Sequence, residues 1–455
     1  MSRTIAESLR QPGRRSPSRL ESGSGMEDQT AKRQVVVIGG GFGGVAFCSH
    51  FRMEEVAVTL VDRCNHHLFQ PLLYQVATCG LAAPDIAQPI RSIVTHRPEI
   101  TVLLENVTGF DLDGRTISLE NSRVEFDYLV LATGSQTNYF AHPEWEYFAP
   151  GLKSLNDALT IRTQLLLAFE RAENQKEAVE RVRLMTVVII GGGATGVELA
   201  GAIADLTRTV LNRDFRHINP ANARIILLDS GVRVLTHLSP ELSASAEQQL
   251  EKLGVQVRCS TAVKSIQSGE VELATGEVIR AGTIVWAAGV TASALTRKLG
   301  APLDKAGRVK VNPDLSVPGH SNAFVIGDAA AVLDAHGLPV PGVAPAAMQM
   351  GKYVAGVIKE EIQLNSRMES RPPFLNRDKG NLATIGRSAA VAQVGLFEFS
   401  GLTAWLAWLF THLIFLVGFR NRVSVLSQWL YSYLFYKRSS RIITAPASEK
   451  IVDRG

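Results

Sequence analysis

The sequence predicts an α/β fold with two Rossmann-like dinucleotide-binding domains, followed by C-terminal membrane-associated helices. Three observations carry this. A glycine loop of the form GxGxxG occurs at Gly39–Gly44 and again at Gly191–Gly196. Each loop follows a β-branched run and leads, through a helical pattern, to a strand ending in an acid. Close to the C-terminus an apolar run extends from Leu402 to Phe419.

In the first unit, Gln34–Ile38 (QVVVI) is a strand, and the loop supplies Gly39, Gly41, Phe42, Gly43 and Gly44. A helical pattern runs to about Met53, and VAVTLVD ends at Asp62. The glycines have separate tasks: a tight turn, close approach of backbone to a pyrophosphate, and close helix–strand packing. The unpaired N–H groups and dipole at the helix start favour the phosphates. Asp62 stands where ribose hydroxyls are expected.

The second unit, MTVVIIGGGATGVELAGAIADL, has a strand at Val187–Ile190 and glycines Gly191, Gly193 and Gly196. Its acid, Asp229, comes late because TRTVLNRDFRHINPAN is inserted before ARIILLD. An acid there accepts ribose hydroxyls and repels a 2′-phosphate; the nearby Arg233 keeps NADPH open. Two units imply two dinucleotides, a hydride carrier and a second redox cofactor. Three more strands end in small residues: YLVLATGS, carrying Ala132, Thr133 and Gly134; TIVWAAGV; and NAFVIGDAAA, delivering Gly327 and Asp328.

At 455 residues the chain expects more than one domain, and 46% apolar with 20% charged residues is a globular composition. A net charge of +4 gives no reason to expect nucleic acid as a partner. Cys48, Cys64, Cys79 and Cys259 form no CxxC or CxxxxC pair, which argues against a metal cluster or redox dithiol. No HExxH and no Ser–His–Asp order occurs, and the adjacent His66 and His67 cannot share one helix face as metal ligands. Residues 1–32 are expected to be a disordered tail, with Met26 a candidate start.

The segment His66–Thr78 (HHLFQPLLYQVAT) is too polar for a buried strand and too apolar for a solvent loop. By itself it reads as a core-capping loop whose histidines bond backbone. The order GGGFGG, ATG, GGGATG, AAG, IGD resembles the two-dinucleotide-domain flavoprotein reductases, with their glutathione-reductase-like fold. Within them, NHHLFQPLLYQVAT, TGVELAG, APAAMQMG and DKGNLATIGR resemble the type II NADH dehydrogenases, single-subunit NADH:quinone oxidoreductases, from about Arg33 to past Phe419.

That resemblance implies FAD on the first unit, with Asp328 at the ribitol, and NAD(H) on the second. Hydride would pass from NADH to FAD, and two electrons, with two protons taken up, to a membrane quinone. The segment His66–Thr78 would lie along the isoalloxazine and shape the quinone pocket, with Gln70, Pro71, Leu72 and Gln75 offering amide groups in an apolar slot. Glu198, opening the second helix, would hold the nicotinamide carboxamide or relay a proton; as a plain helix-end acid it would do neither. Lys379 would stabilise reduced flavin, or be a surface lysine. Gln349 is the glutamine kept where relatives carry AQxAxQ; Pro345 replaces the first one, and suits a helix start. The expected organisation is 33–150 and 292–365 for FAD, 151–291 for NADH and 366–455 for membrane association.

As one helix, Leu402–Phe419 would be about 27 Å long, marginal for a span. The following stretch places Val423, Leu426, Leu430, Tyr433 and Leu434 on one face and Ser424, Ser427, Gln428 and Ser432 opposite. Arg420, Arg422, Lys437, Arg438 and Arg441 flank it as expected beside anionic lipid, and Trp405, Trp408 and Trp429 suit an interface. A peripheral enzyme on the bilayer surface, at the cytoplasmic face of the cell membrane, is expected, with a homodimer as a candidate assembly, and with a single apolar run it is not expected to pump protons. A chain cut near Ser400 is expected to keep FAD and NADH chemistry. The alternatives are a sulfide:quinone or ferredoxin reductase, or a non-catalytic NAD(H)-sensing flavoprotein.

Overall fold

A computed structural model describes residues 32–443 apart from 213, 335–336, 369, 436–437 and 439. The expected N-terminal tail before Lys32, with Met26, lies outside the described residues, as does Lys437. In chain order the strands that build the sites are β1 (Gln34–Ile38), β2 (Ala57–Asp62), β3 (Ile100–Leu104), β4 (Tyr128–Leu131), β5 (Thr186–Ile190), β6 (Arg224–Leu228), β7 (Val255–Arg258), β8 (Thr283–Trp286), β9 (His320–Val325), β10 (Asn381–Gly386), β11 (Ala389–Val394) and β12 (Phe397–Ser400). The helices are α1 (Phe42–His50), α2 (Leu73–Ala77), α3 (Ala194–Asp205), α4 (Ala344–Gln363), α5 (Leu402–Phe415) and α6 (Phe419–Phe435).

The first sheet has the order β9-β4-β1-β2-β3, all parallel, with Ser316–Val317 added antiparallel at the β9 edge. The second has the order β7-β6-β5-β8, also parallel. Parallel strands with both faces covered must be apolar throughout, and β4, β5 and β8 are buried at every position. The two sheets repeat one plan down to register. Ile38 pairs with Val61 and Leu131, and Ile190 pairs with Leu228 and Trp286. The chain leaves the first sheet after β4, builds the second, and returns through β9.

A third, antiparallel sheet, β10-β11-β12, lies against α3. The contact is close because Gly201 has no side chain: a Cβ there would lie 1.6 Å from the Ile385 carbonyl oxygen. Likewise α4 crosses α1 where a Cβ on Gly351 would lie 2.3 Å from Gly43 O. One apolar core extends from Leu72 and Val76 through Ile189 and Val197 to Trp408, Val425 and Trp429.

The apolar run near the C-terminus is not one helix. α5 stops at Phe415, the backbone turns through Leu416–Gly418 with Gly418 at φ +88°, and α6 begins at Phe419. The α5 cap, Leu416, is extended, and Gly418 supplies the positive φ that turns the chain into α6, a conformation glycine adopts without steric cost. At 14 residues α5 is about 21 Å long. No helix among the described residues is long and apolar enough to cross a membrane.

Candidate active site

Two cradles and one cavity make up the site. In the first cradle Gly39, at φ +104°, crosses β4 so closely that a Cβ would meet Ala132 O at 2.4 Å; one on Gly44 would meet Gly39 O at 1.9 Å. In the second, a Cβ on Gly191 (φ +117°) would meet Ala287 O at 2.6 Å, and one on Gly196 would meet Gly191 O at 1.8 Å. Only glycine fits these places. The middle glycines, Gly41 and Gly193, face open space instead, with nothing within 4 Å of an added Cβ. That is the geometry a pyrophosphate needs above a helix N-terminus.

The acids repeat too. Asp62 accepts from Gly40 N at 2.5 Å and Cys64 N at 2.6 Å. Asp229 accepts from Gly192 N, and from Gly231 N at 2.6 Å. The extra residues before Asp229 are absorbed by a π-helical turn at Leu206–Val210 and a 3-10 turn at Pro220–Asn222, so the acid reaches the same place. Arg233 is turned to the carbonyls of Thr236, Leu238 and Ser239.

The residues around the first cradle fit FAD. Gly134 (φ +64°) opens on space, and the buried Thr133 Oγ1 beside it has no hydrogen-bond partner. Phe42 sets its ring edge-on against His67 at 5.1 Å and Phe69 at 5.7 Å. His67 is buried, with Nδ1 2.9 Å from Gly40 O. This histidine therefore ties the loop backbone, as the residues alone suggested.

The cavity, of about 60 Å³, lies between α2, α3, β10, α5 and α6. It brings together Tyr74, Gln75, Glu198, Trp408 and Trp429. Burial pushes the Glu198 carboxyl up to about 8, against the opposing pull of the Thr384 backbone and the Trp408 indole. Trp408 Nε1 is buried on the cavity wall and makes no well-formed hydrogen bond. Burial, then the Glu198 charge, holds the Tyr74 phenol well above its usual range. Burial brings His412, stacked on Trp408 at 4.1 Å, down to about 4. A neutral carboxyl beside neutral aromatic groups is chemically able to give up a proton to a group bound there. Arg387 and Arg438 converge on Asp205 at the cavity wall, and Arg438 also donates to Thr78 O at 2.7 Å.

The other expected residues lie elsewhere. Gln70 is exposed and donates to Lys153 O at 3.2 Å, and Pro71 lies within the short 3-10 turn Gln70–Leu72. Gln349 accepts from Arg377 N at 3.0 Å and donates to Arg377 O at 3.1 Å, so its amide holds the loop that carries Lys379. Lys379 is exposed. Residue patterns did not single out Trp408, Arg387, Arg438 or Asp205 for the cavity. The available signal was an acid in an apolar setting, Asp205 in AGAIADL and Asp85 in LAAPDI, since acids are rarely buried without partners.

The C-terminal helices correct several expectations. Trp408 and Trp429 are buried, not interfacial, because they fill the core and Trp429 Nε1 finds an acceptor. Of the polar face of α6, Ser424, Gln428 and Ser432 turn inward while Ser427 is exposed; Asp85 accepts from Ser424 Oγ and Gln428 Nε2, each at 2.7 Å. Val423, Leu426, Leu430 and Leu434 point outward, while Tyr433 turns to the cavity. Arg422 caps α5 through Ile414 O and Leu416 O, and Arg438 and Arg441 pair with Asp205 and Asp214, so these are not free for lipid. A cut near Ser400 would remove Trp408, Val425 and Trp429 from the core, so the helices are not a detachable anchor.

Comparison with known proteins agrees with this geometry. Residues 33–351 match the family described as pyridine nucleotide-disulphide oxidoreductase, and residues 379–438 match the NDH2 C-terminal domain. A type II NADH:quinone oxidoreductase of Mycobacterium tuberculosis is 41% identical over 425 residues, covering 91% of this chain and 90% of that protein. A structure of NDH2 from Plasmodium falciparum in complex with NADH shares the fold, with a TM-score of 0.82 at 20% identity, over 90% of this chain and 99% of that one. A sulfide:quinone oxidoreductase from Aquifex aeolicus also shares it, with a TM-score of 0.67 at 18% identity over 89% and 95% of the two chains. The chain belongs to the type II NADH:quinone oxidoreductases, flavoenzymes that use FAD and NADH.

Proposed function

We propose that this chain carries out non-proton-pumping NADH:quinone oxidation at a membrane surface, with Glu198 supplying a proton beside the reacting groups. When bound, FAD supplies the two-electron relay between NADH and quinone. Gly191, Gly193 and Gly196 would hold the NADH pyrophosphate and Asp229 its ribose. Gly39, Gly41 and Gly44, with Asp62, would do the same for FAD, while Asp328 holds its ribitol. Glu198 keeps its proton at neutral pH and faces the same cavity as Tyr74 and Gln75. That placement, on the helix opened by the NADH loop, is the observation that carries the reading.

The membrane reading rests on the outward faces of α5 and α6. Leu402, Leu406, Phe410 and Ile414 repeat every fourth residue on α5, each about half exposed or more, and α6 adds Val423, Leu426, Leu430 and Leu434. A contiguous apolar stripe of this size marks an interaction surface. We assign it to lipid on the side that cytoplasmic NADH reaches, because its apolar substrate quinone is dissolved there. The test is NADH oxidation by purified protein with a soluble and a long-chain quinone, beside liposome sedimentation. Turnover should require quinone. Leu406→Glu with Leu430→Glu should lose sedimentation and long-chain activity and keep soluble-quinone activity. A double variant that still sediments with liposomes places the attachment elsewhere.

A further inference from the structure

The lysine expected near the flavin, Lys379, is exposed. A different lysine is built into the first cradle. Lys153 lies between the two sheets' units, just ahead of the helix Leu155–Asn174. Its backbone is held at both ends: its N–H donates to Asp157 Oδ2 at 2.9 Å, and its carbonyl accepts from Gln70 Nε2 at 3.2 Å. Its ammonium donates to Ser135 Oγ at 3.2 Å, and Ser135 Oγ donates to Asp328 Oδ2 at 2.7 Å. Ser135 directly follows Gly134, whose α-carbon faces open space. Thus Lys153, Ser135 and Asp328 come from three separated stretches and meet at the cofactor side of the cradle. Burial pulls the lysine down from its usual range while Asp328 opposes that. A lysine held half-buried by three hydrogen-bonded neighbours needs a reason to be kept.

We propose that Lys153, not Lys379, is the fixed cation of the flavin site, offsetting the negative charge that hydride transfer delivers there. The balance is direct. A hydride carries one proton and two electrons, so its arrival from NADH adds one net negative charge to the cradle and leaves NAD⁺ behind. An ammonium already in place favours that charge without reorganisation. Ser135 sets the ammonium's position, and the Asp328 carboxylate favours its charged form against the pull of burial. The proposal rests on the assignment of FAD to the first glycine unit, and the parent protein's visible spectrum checks that assignment separately: a colourless parent would refute the assignment.

The experiment compares FAD-loaded parent, Lys153→Met and Lys153→Arg. The probe is sulfite, which adds to oxidised flavin and leaves an anionic adduct, followed by bleaching of the flavin band; the flavin reduction potential is measured in parallel. Met keeps the stem and removes the charge, so sulfite affinity should fall by about tenfold or more, the scale of one partly screened charge at close range, and the potential should drop. Arg should restore both to within a few-fold. Unchanged sulfite affinity and potential in Lys153→Met would overturn the proposal. If Lys153→Met retains no FAD, Lys153→Arg decides: recovery of FAD and sulfite affinity supports a charge role, and failure of both shows that the lysine acts by shape.

Discussion

Trp429 donates its indole N–H to Gln75 Oε1 at 2.8 Å, joining residues 354 positions apart. This bond fixes the last helix to the segment His66–Thr78, and it closes one side of the cavity. Trp429→Phe leaves the Gln75 acceptor without that donor, a loss of about 1–2 kcal/mol. Quinone turnover should fall, while FAD content and NADH-driven reduction of ferricyanide stay near parent values. Equal losses with quinone and ferricyanide would show a general folding defect instead.

Gly201→Ala tests how α3 sits on the third sheet. Alanine normally favours a helix by about 1 kcal/mol over glycine. Here its Cβ would lie 1.6 Å from Ile385 O, a backbone atom with no room to yield. Overpacking of this kind costs about 1–3 kcal/mol, so the sign should reverse and the variant should melt at lower denaturant. A variant more stable than the parent would contradict the contact.

Glu198 ties stability to pH. Its carboxyl is pushed from 4.5 up to about 8 in the folded chain. Below pH 4.5 both folded and unfolded chains hold the proton. As pH rises toward 8 the unfolded chain releases it first, so folding stability declines across that window. Glu198→Gln lacks this term. Its melting temperature should match the parent's near pH 5 and exceed it increasingly toward pH 9. Parallel curves at all pH values would place the carboxyl in water. Quinone turnover should fall through about pH 8 in the parent, and the variant should lose that limb.

Asp229 should set nucleotide choice. Its carboxylate is already fixed by Gly192 N and Gly231 N, where it would repel a 2′-phosphate. NADH should be preferred to NADPH, and Asp229→Ala should narrow the kcat/KM ratio by about tenfold or more, the scale of one removed charge. The same ratio in both proteins would remove Asp229 from the nucleotide site.

Much of the fold was legible because its signals are local. The glycine loops, their flanking strands and the acids after them lie within short windows, and backbone geometry leaves glycine as the only fit at Gly39, Gly44, Gly191 and Gly196. Even the late Asp229 was readable, since an inserted turn lengthens the path without moving the strand. The cavity was not legible in the same way. Its polar pairs, such as Gln428 with Asp85 and Arg438 with Asp205, join distant stretches, and no periodicity encodes such a meeting. The residue pattern separated the two faces of α6 but not which one packs on the protein: nothing in a serine-rich face announces that a buried acid such as Asp85 will need it. Lys379 looked chemical because of its motif, whereas Lys153 sits in an unremarked GLKSL turn.

Asp85 has a further consequence. This one carboxylate accepts from Ala82 N at 2.7 Å and from two α6 side chains, so α6 is wound and oriented by the protein itself. Many surface-seeking helices are coils in water and gain their order only on adsorption, which weakens their binding by the entropy of winding. On the membrane attachment proposed above, that ordering precedes the encounter with a bilayer. Attachment should then behave as docking of a rigid apolar ledge: fast, reversible, with no gain in helical circular dichroism when vesicles are added, and with a strength that follows outward apolar area alone.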